Sequence, residues 1–376
     1  MTRFLNFKKV LTAVAIGSLA LVPELKAQTK LPVSLFNWSD YIGVNTIKNF
    51  EKEFGYKVNY DTYGSADAAE AKILSGNMGY DGVMTEALFL PRFIPLGLFA
   101  ELDKSKLPNW KNVDPDLLKL LEKRDPGNKY MIPNFRSFTG ITYDKDRMAQ
   151  IMPNAPVDSI DFLFNPQIIS KFKNCGVSIL DSQQDVFAMA SLYLKKDGNP
   201  MTVEDLKAAA DAIYAIRKYI RAFDSANYLN AIANRELCVV MSWSGDFAVS
   251  QERAAKSGKK INYGFSIPKE GAMLTLDGWL ISATAKNPAG VYEFLNFNLS
   301  GKIAADNVNT VKYGSTNLAA LPFIDKALLA NPATTPPPEL MARAILFEDL
   351  PPKLLKVRSR MWQRLKANTY SPKQTY

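Results

Sequence analysis

Short apolar runs alternate along this chain with segments whose apolar residues recur every three or four positions, and that alternation sets the expected architecture. Residues 33–37 read as a strand. Residues 45–54 read as an amphipathic helix with Ile47, Phe50 and Phe54 on one face. Residues 57–63 alternate as a second strand, 66–75 form a helix, and 82–84 form a short third strand. Extended segments follow at 131–136 and 140–143. The alternation then begins afresh, with strand 176–180, helices 185–194 and 203–219, strand 238–243 and helix 247–257. Strands return at 262–266 and 274–282, and helices at 289–298 and 301–307. The Pro-rich run 335–338 reads as a loop, and 354–368 as a closing helix with Arg358, Arg360 and Arg364 exposed. A β-α-β-α-β order predicts a parallel sheet with helices on both faces. Two such units joined by extended segments predict two lobes with a cleft between them.

The first residues break this pattern. Arg3, Lys8 and Lys9 precede an uncharged apolar stretch at 10–22, and Ala27 offers a small residue before Gln28. This reads as a secretory signal peptide over 1–27, cleaved near Ala27. The apolar stretch is shorter than the roughly 20 residues needed to cross a bilayer. No cysteine stands at the cleavage point, so a lipid anchor is not expected. Removing the four bases and one acid of 1–27 lowers the formal charge from +9 to +6. The remaining length suits two domains. No dense basic run with interleaved aromatics appears, so nucleic acid is not an expected partner.

Cys175 and Cys238 each precede a strand-like run. An even cysteine count in an oxidising compartment favours one disulfide over two buried thiols.

There is no histidine among 376 residues. That removes the usual neutral-pH general base, the common Ser/His and Cys/His nucleophile systems, and most zinc and copper sites. Phosphate-cradling, dinucleotide, C-x-x-C and nucleophile-elbow motifs are also missing. No enzyme activity, cofactor or metal site is expected. Two-carboxylate hydrolysis and tyrosine-based ferric-ion binding need no histidine and stay open at this point.

What the chain does carry is carboxylates beside aromatic rings. They occur in Trp38-Ser39-Asp40-Tyr41, in Trp243-Ser244-Gly245-Asp246 and in Asp277-Gly278-Trp279. A ring face covers methylenes and attracts positive charge, while a carboxylate accepts ammonium protons, so the pairing suits an organic cation. Core packing of both tryptophans, an N-cap role for Asp40, and a half-buried surface pair of Asp277 with Trp279 are the competing readings.

Several longer runs resemble one known family. They are Asn37-Trp38-Ser39-Asp40-Tyr41-Ile42, the segment 48–55, Leu102-Asp103-Lys104-Ser105-Lys106-Leu107-Pro108, Thr139-Gly140-Ile141, and Ser266-Ile267-Pro268-Lys269-Glu270-Gly271-Ala272. Together they look like the periplasmic putrescine-binding proteins of bacterial polyamine ABC importers, in order, from about 35 to 362. The resemblance implies an α/β type II periplasmic binding protein, with two lobes joined by hinge strands and the ligand cleft between them. The N-terminal lobe would be 28–135 plus 276–321, and the C-terminal lobe 136–275 plus 322–376. It implies a Cys175–Cys238 disulfide, a periplasmic monomer, a polyamine ligand (putrescine or spermidine) and an inner-membrane ABC permease as partner.

The resemblance also implies a ligand set. Trp38 would be an aromatic lid, Ser39 and Asp40 would meet an amine end, and Tyr41 would line the wall. Ser225 would be a polar contact, Trp243 the second aromatic plate, Asp246 and Asp277 the amine-pairing acids, and Tyr313 a further wall residue. Asp185 stands where the family has glutamate, Glu86 where it has serine, Thr275 where it has an aromatic residue, and Glu348 where it has lysine. The added acids would favour a longer or more highly charged polyamine. Against that, Glu86 and Glu348 could pair with nearby bases such as Arg136. The competing functions are a receptor for another organic cation, such as cadaverine or agmatine, and an exported carboxylate-based hydrolase.

Overall fold

The computed structural model describes residue 1 and residues 30–374 apart from residue 65. The leader read at 1–27 therefore lies outside the described residues, save for its first. Among the described residues no helix is long and apolar enough to cross a membrane.

Among the described residues there are eleven strands: β1 (Val33–Trp38), β2 (Val58–Tyr63), β3 (Gly82–Glu86), β4 (Ile132–Asp144), β5 (Val177–Ile179), β6 (Ala222–Phe223), β7 (Val239–Trp243), β8 (Tyr263–Ser266), β9 (Ala272–Ile281), β10 (Gly314–Ser315) and β11 (Ala344–Leu346). They hydrogen-bond in the order β2-β1-β3-β9-β4-β7-β5-β6, with β8 and β10 on β4 and β11 on β9. The first half of β4, Ile132 to Phe138, pairs with β9. The second half pairs with β7 on one edge and β8 on the other. Each half of the fold thus repeats one scheme. Three parallel strands run second-first-third (β2-β1-β3, then β6-β5-β7) and are followed by two antiparallel partners. This is the type II arrangement of a periplasmic binding protein.

The β-α-β units pair in parallel as expected, and each sheet adds antiparallel strands beyond them. Alternation of strand and helix determines only the crossover pairs; β4 and β9 return from the other half of the chain and lie antiparallel. The segments 131–136 and 140–143 are one strand, β4. Its register slips between Pro133 and Phe135, where proline has no N–H to donate to the ladder.

Helices Thr46–Phe54, Pro288–Asn298 and Gly301–Val311 cover the first sheet with Phe50, Phe294 and Val308. Helices Gln183–Tyr193, Val203–Arg217 and Pro352–Lys366 cover the second with Phe187, Ile213 and Trp362. In Pro352–Lys366 the sequence reading erred on Arg358, which is buried. It shares the helical stripe of Met361, Trp362 and Leu365, at spacings of three, four and seven. Part of the Pro-rich loop is a short helix, Pro338–Met341.

Cys175 and Cys238 are bonded, as expected. They stand just ahead of β5 and β7, which are neighbours in register through Val177 and Val239. That pairing brings their Cα atoms to 5.7 Å, within the usual disulfide range.

Candidate functional site

Open parallel sheets collect ligands outside the carboxyl ends of their strands. Here both halves aim those ends at a common region. β1 ends at Trp38, β3 at Glu86 and β7 at Trp243. Asp185 lies in the first turn of the helix after β5, and Asp246 opens the helix after β7.

Three carboxylates there are buried: Asp185, Asp246 and Asp277. Among the described residues none of them is ion-paired; hydroxyls attend them instead. Tyr41 donates to Asp277 Oδ2 at 2.7 Å, and the buried Oδ1 has no hydrogen-bond partner among the described residues. Tyr313 donates to Asp246 Oδ1 at 3.0 Å, Tyr228 donates to Oδ2, and the Trp243 backbone N–H adds 3.3 Å. Thr139 donates to Asp185 Oδ1, and Ser182 donates to Oδ2 at 2.6 Å.

Burial is the main cause of their electrostatics. Loss of water pushes Asp246 up to about 7, against the hydrogen bonds from Tyr313 and Trp243 that favour its charged form. Desolvation raises Asp277 to about 6, opposed by Tyr41 and Trp38. Asp185 is raised for the same reason, opposed by Ser182 and Thr139. Tyr41 and Tyr313 are pushed well above the usual phenol value, first by burial and then by these acids, so both stay protonated donors. A buried carboxylate without a counter-ion is costly, and a cation placed among the three would relieve that cost. Among the described residues no three side chains converge as metal ligands.

The aromatic walls are in place. Trp38 is half-buried, with its ring 4.5 Å from Tyr63. Tyr41 meets Tyr313 edge-on at 5.5 Å, linking the surroundings of Asp277 to those of Asp246. Trp243 is half-buried and favours the charged form of Asp185. Gly245 has a positional reason. A Cβ there would sit 2.7 Å from the Lys312 carbonyl oxygen and press into the Tyr313 ring.

Other sequence-derived positions sit further out. Ser39 is exposed and donates to the Tyr63 carbonyl at 3.2 Å. Asp40 takes a left-handed φ of 57° and turns its exposed carboxylate to Arg253, at 3.8 Å. Ser225 is half-buried, and its buried Oγ has no hydrogen-bond partner among the described residues. Glu86 is half-buried, faces Asp277 across the β3–β9 ladder and accepts from Gln184 at 3.4 Å. Glu348 is exposed and paired with a base, but that base is Arg124, at 3.0 Å. Arg136 stands 3.9 Å from Asp114 instead. Thr275 lines a recess with Glu86 and Arg124.

Sequence reading missed Tyr228, Thr139, Ser182 and Arg124. Only Ser182 had a local signal: it caps its helix by accepting from the Asp185 backbone N–H three residues on, and its hydroxyl donates to the Asp185 carboxylate.

A sequence profile of the bacterial extracellular solute-binding proteins matches residues 45–336. The chain is 41 % identical over 364 residues to the putrescine-binding periplasmic protein PotF of Escherichia coli (strain K12), covering 96 % of this chain and 98 % of that one. It is 37 % identical over 355 residues to a putrescine/agmatine-binding protein of Pseudomonas aeruginosa, covering 94 % and 96 %. A solved structure titled as a putative spermidine/putrescine ABC transporter from Listeria monocytogenes matches with a TM-score of 0.80 at 27 % identity, covering 90 % of this chain and 99 % of that one.

Proposed function

The chain belongs to the bacterial extracellular solute-binding proteins, and we propose that it captures a polyamine, putrescine or spermidine, and hands it to an ABC importer. The observation that carries this reading is the trio of buried carboxylates Asp185, Asp246 and Asp277, which form no salt bridge among the described residues, beside Trp38 and Trp243. Polyamine ammonium groups stay charged at neutral pH, much as a lysine does. Each needs a carboxylate once water is removed, while the methylenes between them gain ~0.8 kcal/mol per buried CH₂ against aromatic faces. The separation of the acids then measures the separation of the amines. Trp38 and Trp243 act as plates, Tyr41 and Tyr313 as walls and donors, and Ser225 as a polar contact with an unused hydroxyl.

We take the lobes as 28–135 with 276–321 and 136–275 with 322–376. On that division the Tyr313–Asp246 and Gln184–Glu86 hydrogen bonds cross the cleft. β4 and β9 are then the hinge strands about which the lobes would open and close. The closed, monomeric form would be what the inner-membrane permease recognises. Export to the periplasm with cleavage near Ala27 completes the reading.

The test is a thermal-shift screen with putrescine, cadaverine, spermidine, spermine and agmatine, followed by calorimetry. A ligand at 100 times its Kd should stabilise the protein by ~2.7 kcal/mol. A shift with cadaverine or agmatine alone would favour the other-cation receptor. No shift with any of the five would sink the polyamine reading.

A further inference from the structure

We infer that Thr139 is a positioning residue of the cation site: its buried hydroxyl holds Asp185, beside the Trp243 plate, to the point where β4 passes from one half of the fold to the other. This rests on the polyamine reading above.

A β-branched side chain suits the pleat of a strand and has few rotamers. The ladder gives this one a particular place. β4 pairs with β9 as far as Phe138, which faces Leu274. From Thr139, which faces Trp243, it pairs with β7. Thr139 is therefore the first residue beyond the changeover. The backbone on either side of it is held. The Phe138 N–H donates to Ser244 Oγ at 3.3 Å. A Cβ on Gly140 would run into the Ser266 carbonyl oxygen, so β8 lies tight against that residue. The Thr139 hydroxyl is thus aimed from a fixed base.

Two groups of the site converge on it. Residues directly opposite each other in an antiparallel pair extend to the same face, so Thr139 and Trp243 share one. Thr139 donates to Asp185 Oδ1, and both side chains are buried. The Trp243 side chain favours the charged form of the same carboxylate. Ser182, which donates to Oδ2, belongs to the same helical turn as Asp185 and moves with it. Thr139 is the hydroxyl that comes from another element, and it ties the helix Gln183–Tyr193 to the sheet.

A carboxylate aimed before the ligand arrives loses less to ordering when the ammonium binds. When β4 bends at the changeover, Asp185 and Trp243 travel with Thr139, and the acid keeps its place beside the plate. Without the hydroxyl, Oδ1 would be a buried acceptor lacking its donor, and the carboxylate would be free to turn away from the ligand.

The experiment is titration calorimetry with putrescine and spermidine on the full mature protein and its variants. Thr139→Val keeps the shape and removes the donor. It should weaken each amine that the wild type binds by about tenfold or more, the scale of one hydrogen bond to a charged group. Thr139→Ser restores the donor and should stay within about threefold of the wild type. Asp185→Ala removes the acceptor, and adding Thr139→Val to it should change affinity by less than about twofold. Thr139→Ala removes the same hydroxyl with a smaller side chain and stands in if the valine variant does not fold. Wild-type affinity without the hydroxyl would overturn the inference. A serine variant as weak as the valine one would do so too, because the donor would then be irrelevant. Losses that multiply in the double variant would also overturn it, because Thr139 would then act apart from Asp185. In all three cases the wild type still binds a polyamine, and the reading above stands. A wild type that binds neither amine overturns both together.

Discussion

Tyr313 donates its hydroxyl to Asp246 Oδ1 at 3.0 Å, while the backbone next to Asp246 is pinned against the same ring at Gly245. One tyrosine therefore both favours the charged form of an acid, against its burial, and fixes the separation of two elements. Tyr313→Phe keeps the ring and removes the donor. It should weaken polyamine binding by roughly 1.5–3 kcal/mol, the scale of one hydrogen bond to a charged group. Gly245→Ala should weaken it more, because its methyl cannot fit unless the Tyr313 segment moves. Calorimetry on both variants checks this; wild-type affinity in Gly245→Ala would mean that the contact is not needed for binding.

Asp246→Asn and Asp277→Asn should each cost roughly 2–5 kcal/mol of polyamine affinity, the range for removing one partner of a desolvated charge pair. The ligand-free protein should be no less stable, and more stable near neutral pH, because each variant removes a buried carboxylate without a counter-ion. Denaturant melts with and without ligand separate the two effects. Unchanged affinity in both variants would remove these acids from the site.

How much of this was legible beforehand differs from residue to residue. The strand-helix alternation and the acid-aromatic pairs are local patterns, and they locate β1, β3 and β7, though β1 and β3 run on past the expected ends to Trp38 and Glu86. β4 hid its continuity, because Ser137, Phe138 and Thr139 fall between two separate extended segments of the sequence pattern and its partners lie far away in sequence. The helical phase of Arg358 was visible, yet a charge on a buried stripe reads naturally as exposed. Asp246 and Asp277 were legible as acids. Of their tyrosine donors, Tyr41 and Tyr313 were expected as wall residues, but Tyr228 was not legible, since it belongs to a separate helix, Tyr228–Ala233. The Arg124–Glu348 pair was invisible for the same reason: nothing local in either segment announces the other.

Asp40 was read as an amine contact, and the structure turns it toward Arg253, with its side chain 91 % exposed. An exposed pair contributes little to stability. Asp40→Asn and Arg253→Gln should therefore leave the melting temperature nearly unchanged. Each should raise the ligand dissociation rate by less than about tenfold, and the double variant should do no more than the larger single one. Stopped-flow displacement measures this. Additive effects would mean that Asp40 acts on the ligand directly.

The Cys175–Cys238 bond closes a loop with a sequence separation of 63. In the chain-entropy account such a loop stabilises by roughly 4 kcal/mol. Intact mass of the exported protein should be two hydrogens below the reduced value, with no thiol free to alkylate. Reduction should lower the denaturant midpoint by the corresponding amount while leaving ligand affinity in the folded state nearly unchanged, since both cysteines lie at the amino ends of their strands, away from the site.

Asp246 and Asp277 should make both stability and binding depend on pH, in opposite senses. Burial raises their carboxyls to about 7 and about 6, far above the ordinary 3.8. Between the ordinary and raised values the folded ligand-free protein holds protons that the unfolded chain has released. Stability therefore falls as pH rises through that window. The contribution of these two groups is fully present below about pH 4 and is lost by about pH 7. An ammonium ligand reverses the requirement, because it binds the charged carboxylates and must displace those protons. Affinity should rise with pH from about 5 to 8 and then level off, since the amines remain charged to near pH 10. Calorimetry in two buffers of different ionisation enthalpy should show proton release on binding near pH 6 and little at pH 8. Asp246→Asn should remove the higher-pH part of the rise and Asp277→Asn the lower part. An affinity flat from pH 5 to 8 in the wild type would mean that both acids are already charged in the empty cleft, and that hydroxyl donors alone offset their burial.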